Sequence, residues 1–217
     1  MAPDAAVRAE LQQRWQALCA ALQLHDPTAL TLGRRLWRAW GRWPRRYHDR
    51  SHLLACLRAA DTVQAECRDP HAVAWALWFH DAVYWPWSRH NERRSADWAA
   101  DAARALRLPE PFAAHVHALV MATAHGQPHA PVTDVEWVLD IDLGILGQPP
   151  AVYQRYAQQV RQEYFWVPQR RWREGRAQVL RHFLQQPQLY RTAHFQQRYE
   201  APARANLQHE LQSLTAT

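Results

Sequence analysis

Two short segments place histidines beside carboxylates in a way that could bind a divalent cation. His80 and Asp81 end the apolar run AVAWALWFHD, where an ionisable pair costs desolvation energy unless something compensates for it. A divalent cation would compensate, although a solvated pair at a helix end fits the dipeptide as well. His48 and His52 in YHDRSH are four residues apart, so on a helix both imidazoles would share one face and could converge on one ion. Two surface histidines are the alternative interpretation of that pair.

Other candidate polar groups lie later in the chain. Asp140 and Asp142 interrupt the apolar segment VLDIDLGIL, and at this spacing on a helix they cannot both face one point. We expect one of them to bind metal and the other to cap, pair or support it. Asn91 and Glu92 fit either the start of a helix or an active site. His125 in MATAHG fits a helix end when taken alone.

The elements that must position these groups are predicted to be helices. The chain has only 6 glycines and is dominated by Ala, Leu, Arg, Gln and Trp, a helical composition. Apolar spacing and breakers predict ten helices, one opening at Pro109–Pro111 and the others covering residues 5–24, 28–40, 47–66, 70–80, 92–106, 134–146, 151–165, 168–185 and 201–214. We expect one all-α domain over residues 1–217, with the metal-site core at about 45–147 and C-terminal helices 151–214 packed on it.

Composition narrows the class of protein further. The longest apolar run has eight residues, whereas a membrane span needs about 20, so no transmembrane helix is expected. The N-terminal sequence has an early acid and no apolar segment, which predicts no secretory signal. Three cysteines without a C-x-x-C motif favour a reduced, cytoplasmic protein.

Every one of the 26 basic residues is arginine, and the net charge is +6. The arginines are spread along the chain with only modest clusters and no basic tail. Nucleic-acid binding is therefore a weak expectation.

The order of these motifs resembles that of the HD superfamily of metal-dependent phosphohydrolases, whose pattern is H…HD…D in an all-α domain. More narrowly, the chain looks like the bacterial subfamily of predicted HD phosphohydrolases. The motifs that carry the resemblance lie at Arg45–Leu53, Phe79–Tyr84, Asn91–Ala96, Ala122–His125, Asp140–Gly147, Val160–Pro168, Trp172–Arg176 and Ala203–Leu211. They cover nearly the whole chain.

The resemblance implies a single HD-type helical bundle with four metal ligands, His52, His80, Asp81 and Asp142. His52 is preferred to His48 because the apolar run LLACL follows it directly. Asp142 is preferred to Asp140 only slightly. Imidazoles and carboxylates suit Mn, Fe, Co, Ni or Zn, and Mg is also considered.

The implied reaction is hydrolysis of a nucleotide or another small phosphomonoester or diester. Asp81 would orient the nucleophile, Glu92 would act as general acid or base, and His48 would face the phosphate or a second metal. Residues expected to bind the substrate are Arg46, Arg94, Asn91 and His125. Tryptophans near the motifs could stack a base, although ordinary core packing is the alternative; they are Trp75, Trp78, Trp85 and Trp87.

Two alternatives stay open at this point. One is a non-catalytic module that binds a nucleotide and regulates a partner, and the other is an HD-type di-iron oxygenase with His48 and His125 as extra ligands. The sequence does not determine the substrate, the identity and number of the metals, or whether the chain forms a homo-oligomer.

Overall fold

The computed structural model describes residues 2–124 and 132–216. Within them the chain folds into ten α-helices and two short 3₁₀ segments, with no strand. The helices are α1 (Ala2–Ala21), α2 (Pro27–Ala39), α3 (Arg50–Val63), α4 (Pro70–Phe79), α5 (Asn91–Ala105), α6 (Glu110–Ala122), α7 (Val135–Asp142), α8 (Pro150–Glu163), α9 (Gln169–Gln185) and α10 (Ala193–Thr215). The 3₁₀ segments are Gln64–Glu66 and Leu143–Gly147. The predicted all-α class is confirmed.

Two helix starts differ from the prediction. Helix α3 begins at Arg50 rather than near Tyr47, because the side chain of Asp49 accepts hydrogen bonds from the first free N–H groups and so caps the helix. Helix α10 begins at Ala193, well before residue 201, and Pro202 lies inside it. Proline normally marks a helix start or a break, so the sequence placed the start too late.

The chain divides into two compact units, residues 1–138 and 139–217, and the division falls within α7. The single-domain organisation expected from the sequence stays a prediction.

The first unit is built around α4, which is apolar on all sides. Its side chains at Trp75, Leu77 and Phe79 are fully buried, and it packs against α1, α3, α5 and α6. Burying an indole requires a partner for its N–H, and two of the buried tryptophans here show theirs. Trp40 donates to the carbonyl of Trp78 and Trp75 donates to that of Ala99. The core therefore holds the C-terminal end of α4, with His80 and Asp81, in a fixed place.

In the second unit, α10 packs against α9 and against the 3₁₀ segment that follows α7. The amide of Asn206 donates to the carbonyls of Leu146 and Gln148, which ties that segment to α10. Gly147 is required at this contact, because an added Cβ would lie 2.5 Å from the Cβ of Tyr199.

None of the described helices combines the length and the apolar character that a membrane span demands. All three cysteines are free thiols.

Candidate metal centre

His52 and Cys56 lie one turn apart on α3, and both are buried. The Asp49 cap sets this position, since starting the helix at Arg50 puts His52 in its first turn. Residues four apart on a helix share a face, so the imidazole and the thiol point into the same region. The Cys56 sulfur lies 3.7 Å from Nε2 of His52.

His80 follows the last residue of α4, and its side chain is almost completely buried. Its Nδ1 atom lies 2.8 Å from the carbonyl oxygen of Leu77. A carbonyl only accepts, so Nδ1 carries the proton and donates it. Nε2 of a neutral His80 is then an acceptor, the form in which histidine binds metal.

The Nε2 atom of His80 faces the Nε2 atom of His52 at 3.1 Å. Two nitrogens bound to one ion at about 2.0–2.1 Å and at right-angled to tetrahedral geometry would be about 2.9–3.4 Å apart, so the observed spacing fits a shared cation. His52, Cys56 and His80 each offer a ligand atom, and these atoms lie within 4.8 Å of one another. We call these three residues the His-Cys-His cluster. Its donor set fits a transition metal better than Mg²⁺, which prefers oxygen ligands.

Asp81 lies at the rim of the cluster. Its Oδ2 atom is 3.6 Å from Nε2 of His80, and its side chain is 16% exposed. A carboxylate at this distance could bind the same ion after a small rotation. It could equally face a ligand that enters from solvent.

A buried arginine holds the backbone around this pair. Arg45 donates from one nitrogen to the carbonyl of His48 and from the other to the carbonyls of Asp81 and Ala82. Its guanidinium also lies over the rings of Trp40 and Tyr84. Arg45 thus joins the turn before α3 to the segment after α4, the two segments that position the histidines.

His48 precedes the cap of α3, so the helical i, i+4 relationship expected for His48 and His52 is wrong. The two rings are nevertheless close, with centroids 6.0 Å apart. The ring of His48 stacks on Tyr84 at 4.3 Å. His48 therefore approaches the cluster from a turn and not from the helix that carries His52.

The two aspartates of VLDIDLGIL have different environments. Asp140 is completely buried and accepts hydrogen bonds from the backbone N–H groups of Arg191 and Thr192 and from the Thr192 hydroxyl. Burial raises the pKa of this carboxyl, and these hydrogen bonds act in the opposite direction. Asp142 is the last residue of α7 and is half-buried. The hydrogen bonds of Asp140 fit the aspartate that was expected to cap or support rather than to bind metal. That Asp142 is a metal ligand stays a prediction.

Asn91 is the first residue of α5 and holds the loop that follows Asp81. Its amide accepts from the N–H of Trp85 and donates to the carbonyl of the same residue. Ser95, one turn later, bonds to both backbone groups of Val83. Asn91 is buried and serves the backbone of this loop, and its predicted contact with substrate stays a prediction.

The remaining predicted residues lie at the surface or outside the described part. Glu92 is half-buried in the first turn of α5, and Arg94 is exposed on the same helix. Arg46 is exposed in the turn before α3. His125 lies outside the described residues.

The tryptophans divide between core and surface. Trp75 and Trp78 are buried in the core, Trp85 is half-buried, and Trp87 is 56% exposed. Core packing is therefore the role of the first two, whereas the Trp85 ring lies beside Trp87 near the surface.

Cys56 is the cluster member that the sequence argument missed. Its signal was its spacing of four residues from His52 on a predicted helix, the same spacing that drew attention to His48.

No protein-family model, curated protein or solved structure matches this chain. The resemblance to HD phosphohydrolases therefore depends on the sequence motifs.

Proposed function

We propose that this protein is a metal-dependent phosphohydrolase that acts on a nucleotide or another small phosphoester. Metal binding is supported by the 3.1 Å distance between Nε2 of His52 and Nε2 of His80. The proton of His80 lies on Nδ1 and is directed to the carbonyl of Leu77. Because Nε2 of His80 is an acceptor, either a proton on Nε2 of His52 or a shared cation lies between the two atoms at this distance. The motif order, H…HD…D, supports the phosphoester part.

His52, Cys56 and His80 would hold the metal, with Asp81 as the carboxylate beside them. Bound there, a divalent cation supplies Lewis-acid polarisation of a phosphoryl oxygen and a nucleophile at neutral pH. Asp81, at the rim of the cluster, orients the attacking water by accepting a hydrogen bond from it. Glu92 accepts or donates the proton that the reaction moves.

The residues around the metal ligands either position the site or bind the substrate in this proposal. Arg45 fixes the backbone of His48 and Asp81, so that neither segment moves independently. His48 donates to a phosphate oxygen from its turn, and Tyr84 keeps its ring in place by stacking. Arg46 and Arg94 bind phosphate oxygens from the surface.

The test combines metal analysis with a substrate screen on the full chain. Wild type is expected to carry a transition metal and to hydrolyse at least one member of a panel of nucleotides, phosphomonoesters and phosphodiesters. Chelation should abolish the activity and added metal should restore it. His80→Ala should lose both metal and activity, whereas His25→Ala, an exposed histidine of the same unit, should lose neither.

Three results would contradict the proposal. If folded His80→Ala kept the wild-type metal content, His80 would not be a metal ligand and the proposed site would be wrong. If metal-loaded wild type hydrolysed no member of the panel, the phosphohydrolase activity would be contradicted. The non-catalytic module that binds a nucleotide would then be favoured. Metal-dependent consumption of dioxygen in place of hydrolysis would favour the oxygenase.

A further inference from the structure

A second site lies in the first unit, in a pocket of about 350 Å³ between α2, the segment after Asp81 and α5. Five arginines line it, and no acidic residue does: Arg35, Arg38, Arg42, Arg45 and Arg94. We infer that this pocket binds a small ligand that carries two or more phosphate groups. The inference goes beyond the proposed function, because it assigns a ligand site that needs no metal; Arg94 would contribute to both sites.

Four of the five arginines in this pocket have no acidic partner among the residues that the structure describes. Arg35, Arg38, Arg42 and Arg94 are exposed, and none forms an ion pair within the described part of the chain. Arg35 and Arg38 lie three residues apart on α2, and like charges that are neighbours on a helix surface destabilise it. A bound anion would remove this repulsion.

The high arginine content of the chain does not by itself explain the pocket. Several arginines elsewhere are paired with carboxylates at hydrogen-bonding distance. The pairs include Arg14 with Asp61, Arg104 with Glu110, Arg170 with Glu174, Arg176 with Glu210 and Arg204 with Glu200. The five pocket arginines differ because they are gathered around a concave surface without acids.

Aromatic rings hold two of these arginines in place. The guanidinium of Arg35 lies over the ring of Trp98 at 5.4 Å, and that of Arg42 lies over Trp85 at 5.3 Å. A guanidinium that stacks by its face keeps the N–H groups of its edge available for hydrogen bonds. Stacking also restricts the side chain before a ligand arrives, which lowers the entropy lost on binding.

The arrangement selects phosphate groups and more than one of them. A guanidinium fork matches a phosphate in a bidentate way. Arg35 and Arg38 lie on α2, Arg42 follows the end of that helix and Arg94 lies on α5, so the arginines approach the pocket from three separate segments. A chain of phosphates can reach several arginines at once.

The size of the pocket selects a small molecule over a nucleic-acid strand. Small-ligand pockets have volumes of about 300–1,000 Å³, and this pocket lies at the low end of that range. Grooves for single strands accommodate about 4–16 nucleotides, which requires a longer surface.

Isothermal titration calorimetry on the metal-free full chain tests this inference. Tripolyphosphate and pyrophosphate should bind to wild type with about one ligand per chain, and orthophosphate should bind at least about tenfold more weakly. The variants Arg38→Gln and Arg42→Gln should each lower the affinity for tripolyphosphate by about tenfold.

Arg34→Gln is the matched control. Arg34 lies on α2, as Arg38 does, and is also exposed, but it lines a different groove and its guanidinium donates to Thr31. This variant loses the same charge and should change the affinity by less than about twofold. Circular dichroism checks that all three variants stay folded.

Several outcomes would overturn the inference. They are the absence of tripolyphosphate binding, an equal loss of affinity in Arg38→Gln and Arg34→Gln, and tighter binding of a single-stranded oligonucleotide than of tripolyphosphate at the same salt concentration. His80→Ala distinguishes this inference from the proposed function. It should bind tripolyphosphate as wild type does, whether or not the wild-type protein hydrolyses any phosphoester.

Discussion

Nε2 of His52 and Nε2 of His80 face each other at 3.1 Å, although 28 residues separate the two histidines in the chain. The Asp49 cap determines where His52 lies on α3, and the bond from His80 to Leu77 determines which nitrogen of His80 is directed to the cluster. The cluster is thus a product of two helix ends.

Replacing Cys56 tests whether the thiol is a metal ligand. With Co²⁺ as the probe metal, wild type should show a thiolate-to-metal charge-transfer absorption, because the sulfur lies 3.7 Å from Nε2 of His52. Cys56→Ser should lose this absorption and bind Co²⁺ at least about tenfold more weakly.

Cys67→Ser is the control for that spectrum. Burial raises the pKa of Cys67 to about 12, so it stays a thiol at neutral pH, and it is not part of the His-Cys-His cluster. Survival of the absorption in Cys56→Ser would show that the thiol only packs against the histidine.

Asn91 is expected to stabilise the fold by holding the loop between Asp81 and α5. Asn91→Ala removes two hydrogen bonds to the backbone of Trp85 and should lower the free energy of unfolding by about 1–3 kcal/mol. Asn91→Asp keeps the acceptor and should lose less. Urea denaturation measures both changes. Unchanged stability together with a raised KM would instead support the predicted contact with substrate.

Much of the helical frame could be predicted because local signals coincide with its ends. Asp26 and Asp69 each stand before a proline and cap α2 and α4, as their sequence context indicates. The start of α10 could not be predicted, because Pro202 lies within a helix that tertiary packing sustains.

The candidate site was predictable only in part for a related reason. His80 and His52 stand out as polar groups on apolar elements. Cys56 does not, because a buried cysteine usually packs like a small apolar residue. The arginine pocket was harder to predict, because Arg38 and Arg94 are distant in the chain and line the same pocket only once α2 and α5 have packed.

The ion pair of Glu10 should make a small, pH-dependent contribution to stability. Hydrogen bonds from Arg58 and, less strongly, Arg14 lower the pKa of Glu10 from 4.5 to about 2. A lowered pKa in the folded state stabilises above the unfolded value and loses that effect as the pH falls toward the folded value.

Glu10→Gln should therefore cost at most about 1 kcal/mol at pH 6, because the pair is near the surface and screened by solvent. The difference from wild type should shrink between pH 4.5 and pH 2. Urea denaturation at pH 6, 4 and 3 measures it, and Glu136→Gln controls for the loss of one exposed charge. A constant difference over this series would mean that packing, not charge, explains the effect.

Glu92→Gln should lower turnover far more than it lowers metal content. Glu92 lies in the first turn of α5, one loop after Asp81, where it can reach a reacting proton without binding the ion. Removal of a general acid or base costs about 10²–10⁴-fold in kcat. Asp101→Asn, an exposed carboxylate on the same helix, should leave kcat unchanged. Parallel loss of metal and activity would make Glu92 a ligand.

The final prediction concerns His48 and the number of metal ions. His48 lies in a turn before α3, its ring stacks on Tyr84, and it is not part of the His-Cys-His cluster. Tyr84 also lines the arginine pocket, so His48 contacts a residue of that pocket, and we expect it to donate to a phosphate. We therefore expect one ion per chain in wild type and in His48→Ala.

In the same variant, kcat/KM should fall by at least about tenfold, because a hydrogen bond to a charged group is lost while the metal stays. Metal analysis and steady-state kinetics on the same preparations measure the two effects, with His25→Ala as the matched histidine control. A second ion in wild type that disappears in His48→Ala would instead make His48 a metal ligand. The centre would then be a two-metal site, in which paired ions about 4 Å apart clamp the reacting phosphate.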